Sequence, residues 1–387
     1  MQINENKAGI YIHIPFCKQA CTYCNFHFST SLKHKEEIIS AIITEITLRK
    51  QFLEGKTIQS IYFGGGTPSL LTSTELNLIL ENIVASFTIE NDVEITLEAN
   101  PDDINTQKLI ELKTSGINRI SLGIQSFYDR DLLMMNRSHN AGQAEKSLQL
   151  IKDAGFENIT ADLIYGIPDQ SNAEWESNIQ KLLSFNINHI SCYALTVEPK
   201  TKLFHLIAKN KMLSPDENHA AEQFEILTAL LIADGYEHYE ISNFAKNQKY
   251  SRHNTSYWSG NWYAGFGPSA HSYNGISRQW NISNNALYVK NINSGMDFFE
   301  SEHLTKSQQI NEFIMVSLRT MWGLDKNQFE KKYGESELKQ LMKGAEKYIT
   351  ENYISDTNGY LIITSKGKFV SDGIIAELFS EEEQVIK

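Results

Sequence analysis

Short apolar runs rich in β-branched residues alternate with amphipathic segments through the first half of the chain. The runs predict six buried strands, at residues 8–16, 57–63, 93–97, 119–124, 158–164 and 187–195. Between the first two runs, Ile39, Ile42 and Ile46 fall on one face of a predicted helix. Repeated strand–helix alternation with short connections is typical of a parallel sheet that is flanked by helices.

Residues that can carry chemistry fall at or just beyond the carboxyl ends of these predicted strands. A cysteine-rich loop follows the first strand, a glycine triplet at 64–66 follows the second, and Glu98, Gln125 and Asp162 lie near the ends of three others. In parallel barrels this is the face on which active sites are built. Six strand–helix units, where a complete barrel has eight, predict an α/β fold: a partial (β/α)6 TIM-like barrel with room for a large substrate.

The pattern changes in the second half of the chain. Ser214 and Pro215 predict the start of a helix, as its cap and its first helical residue. Residues 236–290 are rich in aromatics, Asn, Ser and Gly and have no long periodic segment, whereas residues 359–364 predict a short strand. We therefore expect three parts: a barrel over 1–210, a loop-rich extension with a haem motif over 211–300, and a small, mainly helical C-terminal domain over 301–387.

Composition and charge limit the classes of function. The chain has 387 residues, and its 35 Lys and Arg against 47 Asp and Glu give a formal charge of −12. An acidic balance argues against a nucleic-acid partner. No apolar run approaches the length that spans a membrane, and the N-terminal residues lack the apolar core of a signal peptide. Few cysteines, most of them clustered, suit a reducing compartment, so we expect a soluble cytoplasmic protein.

Three of the four cysteines, Cys17, Cys21 and Cys24, lie within eight positions. The spacing favours three thiolates that bind one small inorganic group, since thiolates hold iron–sulfur clusters. A cubane [4Fe-4S] cluster would then keep one iron without a protein ligand. A zinc site that adds His13 or His27 is the alternative, although zinc motifs usually consist of two separated pairs. The odd number of cysteines in so short a loop disfavours a disulfide framework.

The C-x3-C-x2-C pattern resembles that of the radical S-adenosylmethionine (SAM) enzymes. The segments at 11–16, 121–127 and 162–168, which read YIHIPF, SLGIQSF and DLIYGIP, look like the oxygen-independent coproporphyrinogen III oxidase family. The resemblance covers nearly the whole chain and implies a [4Fe-4S] cluster whose open iron is chelated by SAM. It places these residues around SAM: Tyr11, Gly65, Gly66, Thr67, Glu98, Gln125, Arg137, Asp162, Ile164 and Ala194.

Two departures from the oxidases resemble one branch of that family, the HemW haem chaperones. In the decarboxylating oxidases a fourth cysteine lies two positions after the third, where this chain has Phe26. The chain also lacks their N-terminal extension before the first strand. A further mark of the chaperone branch is an H-N-x-x-Y-W pattern, which residues 253–258, HNTSYW, match.

The histidine of that pattern is the predicted haem contact. His253 offers an imidazole to haem iron, and Tyr257 and Trp258 can pack on a porphyrin face. A lone loop histidine more often hydrogen-bonds within its own loop, but the complete six-residue pattern favours haem. His271, in the same region of the chain, is a second candidate.

The resemblance implies two functions. In the first, the chain is a haem chaperone that binds a [4Fe-4S] cluster, SAM and haem and passes haem to apo-haemoproteins such as respiratory enzymes, with cluster and SAM gating transfer or homodimer formation. In the second, it is an enzyme that decarboxylates coproporphyrinogen III to protoporphyrinogen IX through a 5′-deoxyadenosyl radical. Phe26 and the HNTSYW segment favour the chaperone, whereas the complete set of SAM residues keeps the oxidase open. A radical SAM enzyme for another substrate is a third reading.

Overall fold

The six predicted strands form the centre of a large sheet in the computed structural model, which describes residues 6–380. They are β1 (Lys7–Ile14), β2 (Thr57–Gly65), β3 (Thr88–Ala99), β4 (Arg119–Gln125), β5 (Asn158–Tyr165) and β6 (His189–Ala194). Each strand pairs in parallel with the next one along the chain. The predicted parallel α/β core is therefore confirmed.

Most of the helices that connect these strands cover the outer face of the sheet. The connecting helices are α1 (Lys35–Leu48), α2 (Ser73–Ser86), α3 (Thr106–Thr114), α4 (Asp129–Met134), α5 (Ala141–Asp153) and α6 (Asn172–Leu183). The side chains of Thr72 and Ser171 cap α2 and α6, each in a reciprocal pair with a glutamate three residues later. Along β1, Ile10, Ile12 and Ile14 pack into the core under these helices, so the intervening side chains face the concave side.

The next part of the chain begins with two helices, α7 (Lys202–Ala208) and α8 (Glu217–Ala233). The cap of α8 is Asp216, whose side chain accepts a hydrogen bond from the His219 N–H at 2.9 Å. The predicted cap at Ser214 is thus displaced by two residues, because the Asp216 side chain takes the capping role. One face of this helix, which includes Phe224 and Leu227, is buried in the core.

Residues 236–290, expected to be rich in loops, contain strands that extend the sheet at both edges. With the residues that follow they form β7 (Glu237–His238), β8 (Asn243–Ala245), α9 (Arg252–Trp258), β9 (Trp262–Phe266), β10 (His271–Tyr273), β11 (Ser277–Asn281), α10 (Asn285–Asn293) and β12 (Phe299–His303). The sheet order is β12-β11-β10-β9-β1-β2-β3-β4-β5-β6-β8-β7. Strand β9 is parallel to β1. These strands hold at most five residues each, too few to produce a periodic pattern.

The C-terminal part has its own core. It consists of α11 (Lys306–Leu318), β13 (Leu324–Asp325), α12 (Lys326–Tyr333), α13 (Glu335–Thr350), β14 (Ile354–Thr357), β15 (Tyr360–Ile363) and α14 (Ser371–Glu377). Strands β13, β15 and β14 form a separate antiparallel sheet, and β15 is the strand predicted at 359–364. Because β12 still belongs to the large sheet, this unit begins after His303. Among residues 6–380, no helix has the length and apolar content needed to cross a bilayer.

One buried carboxylate, Glu45 of α1, holds the added strands against the first helix. It accepts hydrogen bonds from Arg49 Nη1 at 2.7 Å and from the Gly267 N–H and Asn281 Nδ2 at 2.8 Å each. The hydroxyl of Tyr288 is a fourth donor. Glu45 therefore joins α1, the end of β9, β11 and α10 in one network.

Glu45→Ala is expected to lower the free energy of unfolding by about 3–5 kcal/mol, because it leaves a buried arginine without its carboxylate. Urea denaturation followed by circular dichroism measures this loss. Glu36→Ala, an exposed position on the same helix, is the matched control and should change the value by less than about 0.5 kcal/mol. Equal stability of the two variants would contradict the role given to Glu45.

Candidate functional site

The cysteine loop follows β1 and is fixed by its backbone to three other segments. The Cys17 N–H donates to the Ser29 carbonyl at 3.0 Å, and the Thr22 N–H donates to the Met135 carbonyl at 3.0 Å. The Thr22 carbonyl accepts from the Leu203 N–H at 2.7 Å. Backbone bonds of this kind place the three thiols without help from a bound group.

The three thiols are half-buried and unpaired, and polar donors surround them. Burial raises the pKa of Cys17, and it raises the pKa of Cys24 to about 11. Hydrogen bonds from Thr67 to Cys17 and from the Phe26 backbone to Cys24 act in the opposite direction. Donors directed at sulfur are typical of iron–sulfur sites, and three soft thiolates on one loop fit a [4Fe-4S] cluster.

The zinc alternative lacks a fourth ligand. His13 Nε2 bonds to the His27 carbonyl at 2.9 Å, and His13 Nδ1 lies 3.1 Å from the Tyr11 hydroxyl. His27 Nε2 lies 2.7 Å from Asn285 Oδ1. Within residues 6–380, no group of three or more His, Cys, Asp or Glu side chains is arranged to hold a single metal ion.

Arg137 connects the cysteine loop with the ends of two strands. Its Nη1 donates to Cys21 Sγ at 3.4 Å, and its Nη2 donates to Asn100 Oδ1 at 2.7 Å and to the Gly123 carbonyl at 2.8 Å. Although burial lowers the pKa of Arg137, Tyr23 and Cys21 raise it overall above its usual value. Its buried Nε–H has no acceptor in the described part of the chain. A cationic group with an unfilled donor suits a carboxylate ligand.

The glycine triplet ends β2 beside the cysteine loop. Gly65 has φ of +106°, and its N–H donates to Glu98 Oε2 at 3.2 Å. A Cβ at Gly66 would lie 2.5 Å from the Phe16 carbonyl oxygen, so only glycine lets the two loops approach this closely. Thr67 is buried next to them.

Glu98 and Asp162 face a polar cavity of about 60 Å³ on the concave side of the sheet. Burial raises the pKa of Glu98 to about 6, while the Tyr62 hydroxyl donates to its Oε1 at 2.8 Å. Burial, followed by the nearby charge of Glu98, raises the pKa of Asp162 to about 7. Two desolvated carboxylates of this kind are strong acceptors for ligand hydroxyls when ionised.

The remaining predicted SAM residues lie on the same strands. Tyr11 stacks on Tyr62 with ring centroids 6.1 Å apart. Gln125, the last residue of β4, has φ of +70°, a strained backbone that is typical of functional sites. Ile164 is buried near the end of β5, and Ala194 is the last residue of β6. The structure therefore brings the predicted set to one concave side, and its role in SAM binding stays a prediction.

His253 is placed differently from the expectation that it ligates haem iron. Its side chain is 1% exposed, with Nδ1 3.0 Å from Ser60 Oγ and Nε2 2.9 Å from the Tyr257 hydroxyl. The ring stacks on Tyr62 at 4.9 Å. Because both ring nitrogens are engaged inside the protein, the folded conformation does not offer His253 to haem. Helix α9 instead closes the concave side of the sheet near the amino ends of β1 and β2.

His271, the second candidate, lies at the start of β10 and is exposed. Partial desolvation of the ring by its surroundings, followed by the charge of Arg278, lowers its pKa, which favours the neutral ring that binds metals. It is close enough to His13 for the two rings to interact electrostatically. His271 thus lies nearer to the end of β1 that bears the cysteine loop than His253 does.

Sequence reasoning missed three residues that complete the site. Asn100 joins Arg137 to Thr67, since its Nδ2 donates to Thr67 Oγ1 at 3.4 Å. Tyr62 orients Glu98, and Tyr23 bonds to Arg137. Asn100 lies two residues after Glu98, in the same strand-end segment, which is a signal that could have indicated it.

Comparison with known proteins agrees with this geometry. The model of the radical SAM superfamily matches residues 11–182, and that of the HemN C-terminal domain matches residues 304–370. The haem chaperone HemW of Bacillus subtilis is 34% identical over 375 residues, which cover 96% of this chain and 99% of that protein. The chain belongs to the HemW family. The HemW of Haemophilus influenzae is 31% identical over 388 residues, covering 97% of this chain and 98% of that protein.

A solved structure confirms the fold expected for a HemW family member. The coproporphyrinogen III oxidase HemN of Escherichia coli, a radical SAM enzyme, aligns with a TM-score of 0.84 over 97% of this chain and 91% of its own. Its sequence identity of 22% supports the architecture alone. Membership of the radical SAM superfamily implies a [4Fe-4S] cluster and SAM.

Cys21→Ala is expected to abolish the brown absorbance of the anaerobically reconstituted protein, because a cubane would be left with two protein thiolates. Cys192→Ala is the matched control, since Cys192 is buried in β6 and lies outside the loop. Iron content and absorbance after desalting measure the difference. Full cluster content in Cys21→Ala would show that the cysteine loop does not bind the cluster.

Proposed function

We propose that this chain is a cytoplasmic haem chaperone that binds a [4Fe-4S] cluster, SAM and haem and delivers haem to apo-haemoproteins such as respiratory enzymes. The observation that carries the proposal is the similarity to HemW chaperones along 96% of the chain. Phe26, where the oxidases have a fourth cysteine, supports it. That side chain is 67% exposed beside the cysteine loop and contributes no further thiolate.

We assign the cofactor contacts from the geometry of the site. Cys17, Cys21 and Cys24 would bind three irons of the cluster, and the unfilled Nε–H of Arg137 would receive the carboxylate of SAM. When bound, cluster and SAM supply one-electron chemistry. The glycine loop would contact the amino group of SAM, and the carboxylates of Glu98 and Asp162 would accept hydrogen bonds from its ribose hydroxyls. The full set of proposed SAM contacts is Tyr11, Gly65, Gly66, Thr67, Glu98, Gln125, Arg137, Asp162, Ile164 and Ala194.

SAM affinity is expected to depend on pH through Asp162. Its folded pKa is raised to about 7, so the carboxylate is neutralised as the pH falls through that value and loses its charge-assisted bond to the ribose. Affinity should therefore fall between pH 8 and pH 6, as measured by anaerobic equilibrium dialysis.

Asp162→Asn should bind SAM more weakly, with a flatter profile above pH 6. Glu157→Gln, an exposed position at the opposite end of β5, is the matched control and should keep the wild-type profile. An Asp162→Asn profile that retains the wild-type slope would contradict this assignment.

The second candidate is a coproporphyrinogen III oxidase. The likeness to the Escherichia coli enzyme in fold and the complete set of SAM residues favour it. Both functions require the same cluster, so the cluster content of the protein does not distinguish them. The two functions are distinguished by whether the protein consumes coproporphyrinogen III or carries haem.

Two anaerobic reactions of the reconstituted protein with SAM and a reductant test the proposal. One contains coproporphyrinogen III, and the other contains haem followed by an apo-haemoprotein. We expect no decarboxylation in the first and stable haem binding with transfer in the second. Repeated formation of protoporphyrinogen IX would establish the oxidase instead. Light scattering of the same samples measures whether cluster and SAM control the formation of a homodimer.

A further inference from the structure

A cleft of about 830 Å³ lies between the large sheet and the C-terminal unit. One wall is formed by the α9–β9 and β10–β11 connections, and the other by α11, β13 and α12. Its volume falls in the range of about 300–1,000 Å³ that is typical of small-molecule sites. No role has been given to this cleft so far.

The lining is unusually aromatic. It contains three of the five tryptophans of the chain, Trp258, Trp262 and Trp322. Phe313 and Tyr333, both buried, contribute further rings. Aromatic side chains from opposite walls provide flat apolar surface for a planar ligand.

The charge of the lining is positive although the chain carries −12 overall. Four lysines line the cleft, Lys7, Lys56, Lys331 and Lys332, against two acids. Both acids have partners: Glu312 pairs with Arg278, and the Asp325 side chain caps α12. Lys331 and Lys332 are exposed on the last turn of α12. Lys7 is paired with Glu90 and Lys56 lies over the ring of Trp262, so the exposed Lys331 and Lys332 are the lysines placed to attract carboxylates of a ligand.

We propose that this cleft is the haem site, with the macrocycle between the aromatic walls and the propionates toward the lysines. This inference rests on the proposed chaperone function and deepens it. A haem is a planar aromatic ring with two carboxylates on one edge, and this cleft matches both properties. Among the described residues that line it there is no histidine, methionine or cysteine, so the donors available to the iron are the phenol oxygens of tyrosines and the amines of lysines.

The cleft and the cysteine loop lie at opposite ends of β1. Lys7, the first residue of this strand, lines the cleft, whereas Cys17 follows its last residue, Ile14. Eight residues at roughly 3.3 Å each span about 25 Å. A haem in the cleft would therefore be too far from the cluster to react there. This separation suits a ligand that is carried and not converted.

The test is a titration of the apo-protein with ferric haem, followed by Soret absorbance and tryptophan quenching. Lys331→Glu combined with Lys332→Glu is expected to weaken haem binding about tenfold, from the loss and reversal of two solvent-exposed ion pairs. Lys339→Glu combined with Lys343→Glu, on exposed positions of α13 in the same unit, makes the same charge change away from the cleft. This control should bind haem within about twofold of the wild type.

A second ligand separates a charge contact from a folding defect. Haem dimethyl ester has no carboxylates, so it should bind the wild type and the α12 double variant equally, with a weaker affinity than haem for the wild type. Cys21→Ala should bind haem within about twofold of the wild type, because the cluster lies at the other end of β1.

The outcomes distinguish this inference from the proposed function. If the wild type does not bind haem, the chaperone proposal fails. If the wild type binds haem, the α12 variant binds it equally well and His253→Ala loses it, the cleft assignment fails while the chaperone stands. Weaker binding by the α12 variant, with haem dimethyl ester unaffected by the substitutions, supports the cleft.

Discussion

The parallel pairing of β1 with both β2 and β9 is the constraint on which the rest of the structure depends. Through β2 it places the glycine triplet against the cysteine loop, and through β9 it fixes α9 beneath the concave side of the sheet. A strand buried between two parallel neighbours has no freedom of register, since a shift by one residue would turn Tyr11 and His13 into the core. The positions of both candidate sites follow from this one strand.

The charged side chains on the concave side of the sheet then determine which kind of ligand can bind there. A charged guanidinium at Arg137 and the acids Glu98 and Asp162 are set in surroundings that disfavour charge, and the buried Nε–H of Arg137 has no acceptor in the described part of the chain. Such groups are costly in a folded chain unless a ligand compensates them. SAM carries a carboxylate, an ammonium group and ribose hydroxyls, which are complementary to this arrangement.

Much of this architecture could be predicted from the sequence because the signals are local. Each of the six parallel strands contains a short run rich in apolar, β-branched residues, and the cysteine spacing indicates a cluster. Strands β7 to β12, which extend the six-stranded core on both sides, could not be predicted. Their segments are short, and they become strands only by pairing with distant parts of the chain.

The candidate site shows the same limit. Arg137 was recognised through its family resemblance, but its link to Thr67 through Asn100 depends on tertiary contacts. The contact of His253 with Ser60 could not be predicted, because the two residues are 193 positions apart in the chain. The cleft could not be predicted at all, since it forms only where the large sheet and the C-terminal unit meet.

Helix α9 lies between the two candidate sites and contacts both. On one side, His253 stacks on Tyr62, whose hydroxyl bonds to Glu98; on the other side, Trp258 lines the cleft. This continuous series of contacts makes the helix a shared boundary of the two proposed ligand sites. Thermodynamic linkage makes any coupling between these sites reciprocal: whatever factor SAM applies to haem affinity, haem applies to SAM affinity.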